Sequence, residues 1–114
     1  MTDDRGILLH VSGSEEAQLQ AGIRSARNAR AQLPDIATEI VVQGGAVAFL
    51  SAESALRDEL ATLGDISVVV LACGNSLRSI RIEPEGLLPA VAVVPAAVAH
   101  LATRQLEGWA YIRV

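Results

Sequence analysis

The sequence predicts a three-layer α/β/α domain built on a mainly parallel five-stranded sheet, and three observations carry that expectation. Apolar β-type runs alternate with stretches of helical period along the whole chain, in the order β-α-β-α-β-α-β-α-β. No hairpin signal joins consecutive runs, so right-handed crossovers and parallel pairing are expected. The run from Ser67 to Ala72 is β-branched and free of charge, as suits a strand covered on both faces. A chain of 114 residues forms one domain spanning residues 1–114, burying roughly two thirds of the surface of its unfolded form in one core.

Each element has a local reason. Gly6 to Val11 reads as the first strand, and Ser12 with Glu15 forms an S-x-x-E capping box that opens a helix to about Leu33. Leu19, Ile23, Ala26 and Leu33 mark its inward stripe. Pro34 and Asp35 break it, and Ile36 to Gln43 is a second strand that ends on Gly44-Gly45 and turns into another helical stretch. Leu56, Leu60 and Leu63 repeat at helical spacing until Gly64 stops them. The third strand delivers Cys73. Asn75 to Ile82 is a short helix with Asn75 or Ser76 as N-cap, and Glu83 to Gly86 is a turn. Val91 to Val94 is the fourth strand, Pro95 fits a first helical position, and Val98, Leu101 and Ala102 form the inward face of the last helix. Gly108 ends that helix before a final strand, Trp109 to Val114.

Composition excludes several kinds of function. The net charge of −4 argues against a general nucleic-acid binder, which needs a basic surface to displace counterions. All nine cationic residues are arginine, so lysine Schiff-base chemistry and a P-loop lysine are absent. Gly44-Gly45 matches no phosphate-binding fingerprint. One cysteine cannot form an internal disulfide, and the segment Met1 to Arg5 is acidic rather than a basic leader, so a cytoplasmic location is expected. The apolar tract Leu87 to Ala102 is too short for a membrane span and holds Pro89, Pro95 and His100. With 51% hydrophobic residues and only Phe49, Trp109 and Tyr111 aromatic, the interior must be aliphatic, and apolar surface is expected to close against further copies of the chain.

The chemistry concentrates where the third strand ends. Parallel sheets place their sites beyond the carboxyl ends of the strands, which here means His10 to Ser14, Gln43 to Gly45, Cys73 to Ser76 and Pro95. At the start of a helix Cys73 meets free N–H groups and a positive dipole end, both of which favour a thiolate. A strand order of 2-1-3-4-5 would bring His10 beside Cys73 as a base; the alternative is a core histidine with satisfied nitrogens. Asn75 and Ser76 either donate to the thiolate or cap a helix. Arg78 and Arg81 either face the sulfur or lie in solvent. Arg24, Arg27 and Arg30 form a strip whose default meaning is solvation, with an acidic partner as the alternative. A metal site from His10, Cys73 and His100 lacks any close ligand spacing, and neither metal nor cofactor is expected.

Several segments together resemble the DsrE/DsrF-like family: Ile7-Leu8-Leu9-His10-Val11, Val42-Gln43-Gly44, Ala72-Cys73-Gly74-Asn75-Ser76-Leu77, Val93-Val94-Pro95-Ala96, and the tail from Gln105 to Arg113. The resemblance runs from Gly6 to Val114 and implies a small α/β/α fold related in layout to flavodoxin. It further implies trimeric or hexameric assembly and passage of sulfur between donor and acceptor proteins as a persulfide on Cys73; from their places at the strand ends and on the short helix, His10, Ser12, Gln43, Gly44, Gly74, Asn75, Ser76, Arg78 and Pro95 are expected around it. The Cys-Gly-Asn-Ser-Leu form resembles a branch with no settled function. A homo-oligomeric binding or scaffold module with a small-ligand pocket at the strand ends is therefore the alternative.

Overall fold

Residues 4–114 are described in a computed structural model of the chain. The acidic segment read at Met1 to Arg5 thus lies partly outside the described residues. Five strands form one parallel sheet: β1 Gly6–Ser12, β2 Ala37–Gln43, β3 Val68–Cys73, β4 Val91–Val94 and β5 Ala110–Arg113. Four α-helices connect them: α1 Glu16–Gln32, α2 Arg57–Leu63, α3 Gly74–Ser79 and α4 Ala97–Leu106. The predicted helical stretch after Gly44-Gly45 is a 3-10 helix, Gly44–Leu50.

The strand order is β4-β3-β2-β1-β5, not 2-1-3-4-5. From β1 to β4 each strand is laid beside the last in one direction, so right-handed crossovers put α1, α2 and α3 on one face. The step from β4 to β5 travels back across the sheet, so the same handedness puts α4 on the other face. Two separate cores record this. Leu9, Val11, Ile40, Val42, Val70 and Ala72 pack with Leu19 and Ile23 of α1, Leu60 and Leu63 of α2, and Leu77 of α3. Leu8, Val41, Leu71 and Cys73 point the other way, to Ala97 and Leu101 of α4 and to Trp109.

One helix cannot cover five strands. Val69 is 46% exposed on the α4 face, so β3 is not sealed on both sides as its composition suggested. The inward stripe of α4 also differs from the expected one: Val98 and Ala102 face out, while Ala97 and Leu101 are buried. Pro95 is not a first helical position, since Ala96 is the N-cap and the helix starts one residue later. His100 and Arg104 are the polar side chains that α4 turns toward the sheet, where both bond Glu39 of β2.

Other boundaries follow local chemistry. Glu15, not Ser12, is the N-cap of α1, and its N–H donates to Gln18 Oε1 at 3.0 Å. Leu33 falls beyond the helix and is exposed. Arg27 is exposed and Arg30 half-buried, and both also bond within the chain: Arg27 donates to the Glu59 carbonyl and Thr62 hydroxyl of α2, and Arg30 to the carbonyls of Pro34, Ile36 and Ser67. Arg27 thus ties α1 to α2, and Arg30 ties it to the loops that enter β2 and β3.

Gly22 sets how closely α1 lies on the sheet. A Cβ there would stand 2.6 Å from Cγ2 of Val11, a stiff side chain with no exposed surface. Helix propensity alone would favour alanine by about 1 kcal/mol, but overpacking a filled core costs about 1–3 kcal/mol. Gly22→Ala is expected to destabilise the domain by about 1 kcal/mol on balance, read as a lower urea midpoint; a raised midpoint would show that α1 can shift off β1.

Candidate functional site

At their carboxyl ends β3 and β4 part company, since α3 leaves toward one face and α4 toward the other. Adjacent parallel strands whose connections diverge open a crevice, and open α/β sheets place their sites there. Cys73, the last residue of β3, occupies that point and is itself the N-cap of α3, a role the sequence assigned to Asn75 or Ser76. Gly74 is required by the narrowness of the crevice: a Cβ would lie 3.1 Å from the carbonyl oxygens of both Val94 and Pro95. The strand ends can approach only without a side chain there.

The starts of α3 and α4 meet at the sulfur. The N–H of Ala97, first residue of α4, donates to Cys73 Sγ at 3.4 Å. Ser76, in the first turn of α3, accepts from the Gly44 N–H at 2.8 Å through its hydroxyl, and that hydroxyl favours the thiolate of Cys73. Gly44 holds φ +80, a left-handed conformation that aims its N–H at Ser76. A Cβ at Gly44 would come within 2.9 Å of the Gly13 carbonyl oxygen, so the loop after β1 also fixes this turn. Burial opposes ionisation of Cys73 and is the largest single influence, but the Ser76 hydroxyl and the N–H groups of Ala97, Ser76 and Asn75 outweigh it together and hold the pKa below that of an ordinary thiol.

The sulfur is covered as well as activated. Cys73 is only 2% exposed, within the cluster of Leu8, Val41, Leu71, Ala97 and Leu101. A cavity of about 560 Å³ lies between α2 and the amino ends of β3 and β4, and another of about 380 Å³ beside Arg78, Arg81 and Val93 touches Gly74; neither is lined by Cys73.

The remaining sequence candidates divide. Gln43 and Ser12 are partners in the sheet register at the ends of β2 and β1, and Pro95 lies exposed in the turn that leads to α4. His10 does not meet Cys73, because β2 stands between β1 and β3. Its Nδ1 lies 2.7 Å from the Tyr111 hydroxyl and its Nε2 2.8 Å from Gln43 Oε1, so both ring nitrogens are satisfied in a core histidine. With the Gln43 carbonyl oxygen as acceptor, the neutral ring carries its proton on Nε2 and accepts the Tyr111 O–H. Asn75 and Arg78 are both exposed, and Asn75 Oδ1 accepts from the Arg78 guanidinium. Among the described residues no group of three His, Cys, Asp or Glu side chains is arranged to hold a metal ion.

A polar cluster that the sequence reading passed over lies under α4. Glu39 of β2 is 6% exposed, and both of its oxygens are engaged: Oε1 by His100 Nε2 at 2.7 Å and Oε2 by Arg104 Nη2 at 2.8 Å. These bonds hold the Arg104 guanidinium further above its ordinary pKa, and it stacks 4.5 Å over the Trp109 ring. The signal in the sequence was a lone Glu39 inside the apolar strand Ile36 to Gln43, with His100 and Arg104 four apart downstream.

The class is thus an all-parallel α/β/α protein with one cysteine at the switch point of its sheet. The chain is 32% identical to MTH1491, a protein of unknown function from Methanobacterium thermoautotrophicum, over 97% of this chain and 100% of that one, with a TM-score of 0.90. It belongs to the family of that protein. The ychN protein from E. coli shares the fold at 18% identity, over 96% of this chain and 99% of its own, with a TM-score of 0.82. No protein-family model and no curated protein matches the chain.

Removing the Ser76 hydroxyl takes away one of the donors that lower the Cys73 pKa, so Ser76→Ala raises it. Less thiolate is then present at neutral pH. Alkylation of the folded variant by iodoacetamide is expected to slow roughly five- to tenfold at pH 7 and to reach the wild-type rate in alkali; an unchanged pH profile would exclude Ser76 from the site.

Proposed function

We propose that the protein is a sulfur carrier of the DsrE/DsrF-like type, holding sulfane sulfur on Cys73 between a donor and an acceptor protein. The observation that carries this reading is the chain's only cysteine at the switch point of the sheet, accepting the Ala97 N–H on its Sγ at 3.4 Å with its pKa held below that of an ordinary thiol. The Cys73 thiolate attacks the outer sulfur of a donor persulfide, R–S–SH. A new S–S bond forms to Cys73, the donor S–S bond breaks, and its electron pair leaves on the donor as R–S⁻. The proton stays on the transferred sulfur, giving Cys73–S–SH with no net oxidation. An acceptor thiolate then repeats the displacement and restores the Cys73 thiolate. With no second cysteine in the chain, both transfers are between molecules. Neither step calls for a cofactor.

A homo-oligomer, a trimer or hexamer by the family resemblance, is part of the proposal. Val69, Val98, Leu106, Tyr111 and Ile112 are exposed apolar side chains for which contact between copies provides cover. No described helix is long and apolar enough to cross a membrane, and the free thiol suits a reducing compartment such as the cytoplasm.

The 2% exposure of Cys73 favours a second reading, in which the thiol is packing material in a non-catalytic binding or scaffold module. Incubation with a small-molecule persulfide donor, followed by intact-mass measurement, separates the two. The carrier gains the mass of one sulfur atom, removable by a thiol and absent in Cys73→Ala. No gain by the wild type, with Cys73 alkylated only on global unfolding, supports the scaffold.

A further inference from the structure

We infer that Glu39 is a positioning residue for the thiol: through His100 and Arg104 it clasps α4, and α4 is the lid on Cys73. The inference rests on reading Cys73 as the reacting group. Among the described residues α4 is the only helix on its face, and the first N–H of that helix sits on Cys73 Sγ. Its apolar hold on the sheet is slight, since Ala97 and Leu101 are its buried apolar residues while Val98 and Leu106 lie 69% and 89% exposed. The polar hold is concentrated on one carboxylate. Glu39 is buried on β2, and all its side-chain bonds come from this helix: His100 Nε2 at 2.7 Å, and Arg104 Nη2 and Nε at 2.8 and 3.3 Å.

A buried carboxylate satisfied from one element alone resists departure of that element, because lifting the helix strips it of its partners before water replaces them. Arg104 is fixed in turn by the Trp109 ring and by Glu107 Oε1 at 3.2 Å. The backbone supplies bends at both ends of the helix, in the Pro95-Ala96 turn and in Gly108, which holds φ +93. α4 can therefore open as a unit while β1, β2 and β3, packed on the opposite face by α1 and α2, stay folded. Opening withdraws the Ala97 N–H from the sulfur and exposes it. Glu39 thus sets both how often the sulfur is reachable and how well it is solvated by donors when covered.

The test uses Glu39→Gln in the full chain, which keeps the shape and removes the charge. Iodoacetamide modification of Cys73 in the folded protein is expected to accelerate by roughly tenfold beyond the change in the global unfolding constant measured in urea. Amide exchange should quicken across residues 97–106 and stay unchanged, after that correction, in β1 and β2. A merely structural role predicts equal changes everywhere, and acceleration no greater than the global change overturns the inference. Should Glu39→Gln fail to fold, Arg104→Gln, on the partly exposed partner, is read in the same way. The wild type and the variant are also treated with the persulfide donor. If the lid effect is present and neither protein takes up sulfur, the carrier reading fails alone; if both take up sulfur at the same rate, the lid fails alone.

Discussion

The right-handed crossover governs this molecule more than any single contact. Four strands laid side by side in one direction put three helices on one face, and the same handedness forces the last helix to the other when the chain returns past β1. That single reversal makes a thick face and a thin one. It also separates the connections leaving β3 and β4, and the crevice so opened is where the only cysteine lies. Site, lid and exposed apolar surface all derive from the same turn of topology.

Within that crevice two opposing effects act on one sulfur. Burial among aliphatic side chains favours the neutral thiol, while hydrogen bonds from Ser76 and from backbone N–H groups favour the anion. The polar groups prevail because several act together and none has to reorganise: they are held by the α3 start, the α4 start and the turn at Gly44. A thiolate that is stabilised and yet covered is protected from casual oxidation, and it becomes available only when its cover moves. Shielding and activation then come from the same residues, since the Ala97 N–H contributes to both.

Much of the fold was legible because periodicity and punctuation report on backbone. The β-branched run ending at Cys73, Leu56, Leu60 and Leu63 at helical spacing, and Gly108 after α4 each have a local cause. Strand order was not legible. The sequence 2-1-3-4-5 and the observed 4-3-2-1-5 need the same elements and differ only in the direction of early crossovers, which no local residue encodes. The error propagated to His10, which the misplaced neighbour would have paired with Cys73. The inward face of α4 was misread for another reason: an apolar stripe was sought, whereas the sheet beneath offers a buried carboxylate and so draws in His100 and Arg104. The Cys73 position and the part played by Ser76 were readable from strand, glycine and serine in succession, but the contribution of Ala97 comes from a residue 24 positions away.

The central claim is that the folded structure favours ionisation of Cys73 despite covering it. The direct measurement is titration of thiolate ultraviolet absorbance, once in the folded protein and once in urea, with Cys73→Ala as the blank. A folded-state midpoint below the unfolded one is the expected result. A folded-state midpoint equal to or above the unfolded one would mean that burial dominates, and the sulfur would then be part of the core and nothing more.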